Sequence, residues 1–294
     1  DVYKRQEHNA WWFPPGGVIA LMPNLEVAPF DDVNVRRGIA LSLDREEIAE
    51  TASEGYMEPA GQTGLILPNQ EEYLDPSIPD QGMITQDTDA ALAAFAEAGY
   101  TLDGDRLVGA DGTQLEFALT TANGFSDWTR AAQTVQSQLA DVGVKVTLKL
   151  PQPAGYQSAI SNGDFEMAIG GMGNGNVYQA FNNLLSSEFY VPSGEATANN
   201  FERYRSDEAD ALLKEYRETV DPARQTEIVE ELQGIVYDDL PVIGLYYGGI
   251  WGLFNDSKFT GWPTEDDPYM IPQNYDSAPL GIFTRLERVK EDDR

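Results

Sequence analysis

The sequence predicts an α/β protein whose sheet is covered by helices, and three observations carry that prediction. Gln114 to Thr121 alternates as a strand does, Ser126 to Val142 has a helical period, and Val144 to Leu150 alternates again. This is a βαβ unit, whose crossover is right-handed by chain chirality. The pattern continues, with Ala154 to Ser161 reading as helix and Phe165 to Ile169 as strand. Nearer the start, Val35, Ile39, Ala40 and Leu43 fall three and four residues apart while Arg36 and Arg37 lie off the stripe. Pro29 to Glu50 therefore predicts an amphipathic helix, opened by Pro29 and by the carboxylates of Asp31 and Asp32 at its positive end.

The other elements follow in chain order. Asp1 to Asn9 shows no periodicity and runs into Trp11-Trp12-Phe13-Pro14-Pro15 without a sorting signal, so residues 1–16 read as a leader, non-native or out of context. Val18 to Met22 is a short apolar run ending at Pro23, a buried strand. Met57 to Thr85, rich in Pro, Gly and Gln, predicts a long ordered surface loop. Asp87 to Ala98 predicts an alanine-rich helix stopped by Gly99, and the Asp103-Gly104 and Asp111-Gly112 pairs are the chemistry of tight turns between strands. Trp128, Ala131, Ala132, Val135, Leu139 and Val142 form the buried stripe of the βαβ helix. Asp207 to Thr219 and Pro222 to Asp239 form a helical pair, the second started by Asp221-Pro222 and buried along Ile228, Leu232, Ile235 and Val236. Val242 to Tyr247 and Ile250 to Phe254 read as strands, Phe259 to Pro279 as irregular, and the charged residues from Glu287 as a frayed end.

Charge and composition exclude several functions. The chain has 294 residues, 49 acidic against 19 basic, and a formal charge of −30. Such a field repels phosphate backbones, so nucleic acid is excluded as a partner. Scarce lysine beside excess carboxylate fits either a high-salt habitat or ordinary acidic secretion. Cysteine is absent, which removes disulfides, thiolate metal sites and a cysteine nucleophile. The single histidine, His8, lies in the leader, so histidine-dependent catalysis and a Ser-His triad are not expected. No phosphate-cradling loop, His-Glu-x-x-His pair or nucleophile elbow occurs. No cofactor or metal is implied: Asp103 and Asp105 match the first positions of a calcium loop, but Leu107 takes the next ligand position and Glu116 is misplaced. An enzyme is therefore not expected. The one catalytic class left open is a glycosidase with paired carboxylates.

What remains is a binding site. Gly170-Gly171-Met172-Gly173-Asn174-Gly175-Asn176 follows a strand, and such a glycine-rich strand end lets a ligand approach the backbone at the rim of an α/β sheet. A flexible turn is the competing reading. Tyr178 and Phe181 follow on a helix, and Tyr246, Tyr247, Trp251 and Trp262 gather amphipathic rings in a short stretch; each ring either faces a ligand or packs in the core.

The string from Pro29 to Arg45, PFDDVNVRRGIALSLDR, resembles a segment of family 5 extracellular solute-binding proteins, the receptors of peptide and oligosaccharide ABC importers, with Gly38 where the family usually has alanine. Glu97-Ala98-Gly99-Tyr100, Gly163-Asp164-Phe165, Pro241-Val242-Ile243 with Leu245-Tyr246-Tyr247, and Gly261-Trp262-Pro263-Thr264 continue the resemblance. It implies a type II periplasmic-binding-protein-like fold: a lobe-crossing strand at 17–29, one α/β ligand-binding lobe at 30–240, and a return segment and tail at 241–294. It also implies that the chain is the C-terminal half of a longer extracytoplasmic, lipid-anchored protein. Its partners would be a small oligomeric solute, peptide or sugar, and the permease subunits of an importer. Peptide receptors of the family carry Gly-Trp-x-x-Asp at the glycine-rich strand end, the Asp receiving the ligand's amino terminus. Here Gly171 keeps the glycine, Met172 replaces the Trp and Gly175 the Asp. Asn174, Asn176, Tyr178, Asn182 and Asn183 look more like the oligosaccharide-binding branch.

Overall fold

The computed structural model describes residues 8–172 and 175–289. The chain divides into two units, a larger one from Gly17 to Tyr247 and a smaller one formed by the two ends, up to Gly16 and from Gly248.

Strands β1 (Asn9–Trp12) and β2 (Pro15–Pro23) come first. The stretch predicted as one amphipathic helix is two, α1 (Val33–Leu41) and α2 (Arg45–Ser53). Asp32 caps the first by accepting from Asn34 N–H, and Asp44 caps the second by accepting from Glu47 N–H. A second capping carboxylate offers the backbone a competing partner, which is why the chain breaks between Ser42 and Asp44. Arg36 is not off the stripe either. It is buried, and its guanidinium donates to the carbonyls of Phe30, Asp239 and Leu240.

The segment after α2 departs further from expectation, because Ala60–Ile66 runs through the interior instead of over the surface. Gln62 makes this possible: it donates to the carbonyls of Val236 (3.1 Å) and Val242 (2.6 Å) and accepts from Gly244 N–H (3.0 Å). Buried backbone must find such partners. The helix α3 (Thr88–Glu97) is capped by Asp87, and the hairpin β3 (Thr101–Asp103) with β4 (Arg106–Val108) turns at Gly104, whose φ is +66°.

The βαβ unit is as predicted: β5 (Glu116–Thr120), α4 (Ser126–Asp141) and β6 (Lys145–Lys149), with β5 and β6 parallel. Then come α5 (Pro153–Asn162), β7 (Met167–Met172), α6 (Val177–Leu185), α7 (Asp207–Glu218), α8 (Pro222–Asp239) and β8 (Ile243–Gly249). In α8 Val229 is buried and Ile235 only half-buried. The main sheet has the order β6-β5-β7-β2-β8, with β7 parallel to β5 and antiparallel to β2. On one face of it Val18, Ala20 and Met22 pack with Ala168, Tyr156 of α5, Phe181 and Leu184 of α6, and Leu213 and Leu232 of the α7–α8 pair. Helices thus cover the sheet, as the alternating pattern predicts.

In the smaller unit β9 (Gly252–Asn255) pairs antiparallel with β1, so Asn9–Trp12, within the segment read as a leader, is strand. The tail is more regular than its sequence suggests: β10 (Phe259–Thr260) pairs with β11 (Glu287–Arg288), and α9 spans Ala278–Phe283.

Candidate functional site

The site is built around the end of β7. Register pairs Val18 with Met172, Ile19 with Gly171 and Ala20 with Gly170, so this end of the strand lies against the start of β2. Gly170 gives room to its neighbours: a Cβ there would displace the end of the Met22 side chain and stand 3.1 Å from the Tyr156 hydroxyl, which donates to Ile169 O. Beyond the strand, Gly175 has a φ of +96°, a conformation L side chains rarely adopt, and Asn176 caps α6 by accepting from Gln179 N–H at 2.8 Å.

The structure separates the predicted site residues. Met172 is half-buried, and Gly175 and Asn176 are exposed beside it at the start of α6. Gly173 and Asn174 lie outside the described residues. Tyr178 is half-buried, stacks on Tyr216 with ring centroids 4.9 Å apart and donates to Asn182 Oδ1. Phe181, Tyr246 and Tyr247 are buried, so core packing, the competing reading for each ring, is the one their burial supports. Tyr246 is bridged through Pro59, and burial beside Asp127 pushes its hydroxyl well above the ordinary tyrosine range. Trp251 and Trp262 belong to the smaller unit. There Trp251 meets Phe13 edge-on, and Trp262 stacks on Phe254 and lines an apolar cavity of about 150 Å³.

Sequence reading missed the loop that faces the end of β7. A cavity of about 260 Å³ is lined by Met22, Met172, Asn183 and Leu184 and, across from them, by Asn199 and Glu202. Two non-glycine residues with positive φ, Asn200 (+48°) and Arg203 (+64°), bracket Glu202 and turn it inward. Asn200 locks this conformation by donating to Ser186 O (3.0 Å) and Tyr204 O (2.8 Å) and accepting from Tyr204 N–H (2.7 Å). Glu202 is 2% exposed, and its Oε1 has no hydrogen-bond partner. Burial pushes its carboxyl up to about 8, with its own N–H and the charge of Arg203 pulling the other way. Arg203 spends both terminal nitrogens on carbonyls, Nη1 on Phe201 and Nη2 on Ser161 and Glu195. A signal existed in the string Asn199 to Tyr204, dense in polar groups just before the Ser206 helix cap, but a carboxylate next to an arginine reads as solvated surface.

Among the described residues no group of three or more His, Cys, Asp or Glu side chains is placed to hold a metal ion, and no helix is long and apolar enough to cross a membrane. Glycine backbone, amides and one buried carboxyl surround the small cavity.

Comparison with known proteins bears on the family and the fold. The profile for the middle region of the bacterial extracellular solute-binding proteins, family 5, matches residues 1–192. The oligopeptide-binding protein AppA of Bacillus subtilis is 25% identical over 221 residues, 74% of this chain and 39% of that one. The glutathione-binding protein GsiB of Salmonella typhimurium is 26% identical over 230 residues, 76% of this chain and 40% of that one. The chain thus spans about two fifths of the curated relatives it matches. A mannohexaose-bound periplasmic oligopeptide-binding protein of Thermotoga maritima superposes with a TM-score of 0.85 at 24% identity, covering 98% of this chain and 56% of that one. AppA of Bacillus subtilis in complex with a nonapeptide gives 0.74 at 20% identity, covering 98% and 54%. These likenesses establish a periplasmic-binding-protein fold, covered in part.

Proposed function

The chain belongs to the bacterial extracellular solute-binding proteins of family 5, and on that premise we propose that it forms part of the substrate-binding component of an ABC importer, capturing an oligopeptide or oligosaccharide outside the cytoplasm and delivering it to membrane permease subunits. The observation that carries the reading is the family match, joined to a strand end where Gly171 and Met172 line a small cavity and Asn176 is exposed. Capture in such proteins is closure around a ligand, with no bond made or broken. The residues that would meet the solute here are Met172, Gly175, Asn176 and Tyr178. The lobe boundaries and the lipid anchor expected from the resemblance belong to the same proposal.

Between the two ligand classes, Gly175 in place of a carboxylate disfavours peptides held by their amino terminus, since a buried amine without a carboxylate loses a charge-assisted hydrogen bond. The burial of Phe181, Tyr246 and Tyr247 in turn reduces the rings available to stack on sugars. Thermal-shift screening of the full-length gene product with gluco-oligosaccharides, mixed peptides and amino-acetylated peptides tests the reading. A melting shift with one class and no turnover supports a receptor. Release of new reducing ends would make the protein a glycosidase, and no shift with either class would remove the solute assignment.

A further inference from the structure

We propose that the cavity between the end of β7, α6 and the 198–202 loop is a subsite for an ammonium or guanidinium group of the solute, with the Glu202 carboxylate as its receiver. The inference rests on the solute-receptor reading and adds the chemical class of the group seated there.

A buried side-chain oxygen without a partner calls for an explanation, since nearly all such atoms in native proteins are bonded. The explanation is not Arg203: its terminal nitrogens are committed to the carbonyls of Phe201, Ser161 and Glu195, and its Nε, buried beside Glu202, makes no hydrogen bond to the carboxyl and lacks a partner too. Nor is it a loose loop, because Asn200 fastens the turn on both sides of Glu202. Glu202 faces a cavity whose other lining residues are neutral. Among the described residues, Arg203 is the charged side chain that acts on it. The volume, about 260 Å³, falls below the roughly 300 Å³ at which cavities begin to hold a whole small ligand, so it fits an end group or one side chain. Met22, Met172 and Leu184 give that group an apolar sleeve, which suits the methylene stem of a lysine or arginine with the charge at its tip.

Burial also supplies the means of exchange. The carboxyl is pushed up to about 8, so the empty site carries a neutral acid. When a cation enters, the proton leaves to solvent and a carboxylate–cation pair replaces it, so charge balances in both states. Cation affinity should then rise about tenfold per pH unit below the carboxyl's midpoint and level off above it.

The test is carbon-13 NMR titration of protein labelled at the glutamate carboxyl, with Glu202→Gln identifying the signal. In the empty protein one glutamate should titrate far above the others and be missing in the variant. Acetyl-Ala-Lys-Ala-amide should lower that midpoint by more than one pH unit, and acetyl-Ala-Met-Ala-amide should leave it in place. If a glucosamine dimer lowers it and the lysine peptide does not, the cation comes from an amino sugar. Should Glu202→Gln fail to fold, Asn183→Asp, which adds a carboxylate across the cavity, should raise the same midpoint. No glutamate above the ordinary range, or a midpoint that none of the cations moves, overturns the subsite. If the solute screen still shows its melting shift in that case, the receptor reading stands and the subsite alone falls.

Discussion

Two buried ionisable groups in the larger unit are held in opposite ways. Arg36, on α1, is 6% exposed and surrounded by carbonyls: Nε donates to Asp239 O and Leu240 O, Nη1 to Phe30 O and Nη2 to Asp239 O. Glu202 is buried as deeply, yet its Oε1 meets nothing. Burial lowers the basicity of the arginine, and the nearby Asp239, Tyr204 and Asp32 restore part of it, so the cation is kept. Burial raises the carboxyl to about 8, outweighing its own N–H and the charge of Arg203. A buried ionisable group whose hydrogen-bond partners are built in is a brace, whereas one left without them is a place for something else to bind. Arg45 is the intermediate case, with Nε and Nη1 on the carbonyls of Gly244, Ala40 and Ile84 and Nη2 bare.

The largest effect expected is at the brace. Arg36→Met removes every donor from the carbonyls of Phe30, Asp239 and Leu240 at once, a loss of about 3–5 kcal/mol for breaking a satisfied buried charge. Urea unfolding reads it. A loss under about 1 kcal/mol would mean that water replaces the guanidinium and that Arg36 is no brace.

Glu202 should behave in the reverse sense. Its folded value lies above the ordinary 4.5, so the native state binds more protons than the unfolded chain between about 4.5 and about 8. Wild-type stability should therefore fall as pH rises through that window and level off above it. Glu202→Gln should lack this fall and be the more stable protein at pH 9 by a few kcal/mol, in unfolding curves taken from pH 5 to pH 9. Parallel curves for the two proteins would erase the distinction between brace and site. Asn200→Ala sharpens it: with the amide gone, Ser186 O, Tyr204 O and Tyr204 N–H lose their partner, for about 2 kcal/mol. The loosened loop should also admit water and bring the Glu202 midpoint down toward the ordinary range.

The comparison also explains what was legible in the sequence. Period and capping residues gave the βαβ unit, α3, the α7–α8 pair and the helix-covered sheet, because each depends on neighbours within one or two turns. Arg36 was misread as surface because periodicity scores an arginine as polar, and its acceptors Asp239 and Leu240 lie some two hundred residues away. Ala60–Ile66 was misread for the same reason, since its partners on α8 and β8 are equally remote. At the candidate site the glycines of β7 were visible, whereas Asn176, read as a ligand contact, caps α6. The Glu202 cavity was not visible, because it needs a loop at 198–202 brought against a strand at 171–172, which no local pattern encodes.

The smallest expected effect tests how firmly the brace is seated, at Gly38, two residues along α1 from Arg36. Alanine stands at this position in the family segment that the chain resembles, and by helix propensity Gly38→Ala should gain about 1 kcal/mol. The structure predicts the opposite sign. A Cβ at Gly38 would lie 2.7–2.8 Å from three ring atoms of Phe95 on α3, and Phe95 is fully buried. Overpacking of this kind costs about 1–3 kcal/mol, enough to turn the gain into a net loss of about 1 kcal/mol. The clash belongs to the pair, so Phe95→Leu should relieve it, and the double variant should be more stable than the sum of the single changes by about 1 kcal/mol. If Gly38→Ala instead stabilises the protein, α1 has room to shift against α3. Arg36 would then keep its carbonyls through adjustable geometry, and the contrast with the rigidly held Glu202 would have to be drawn from hydrogen bonding alone.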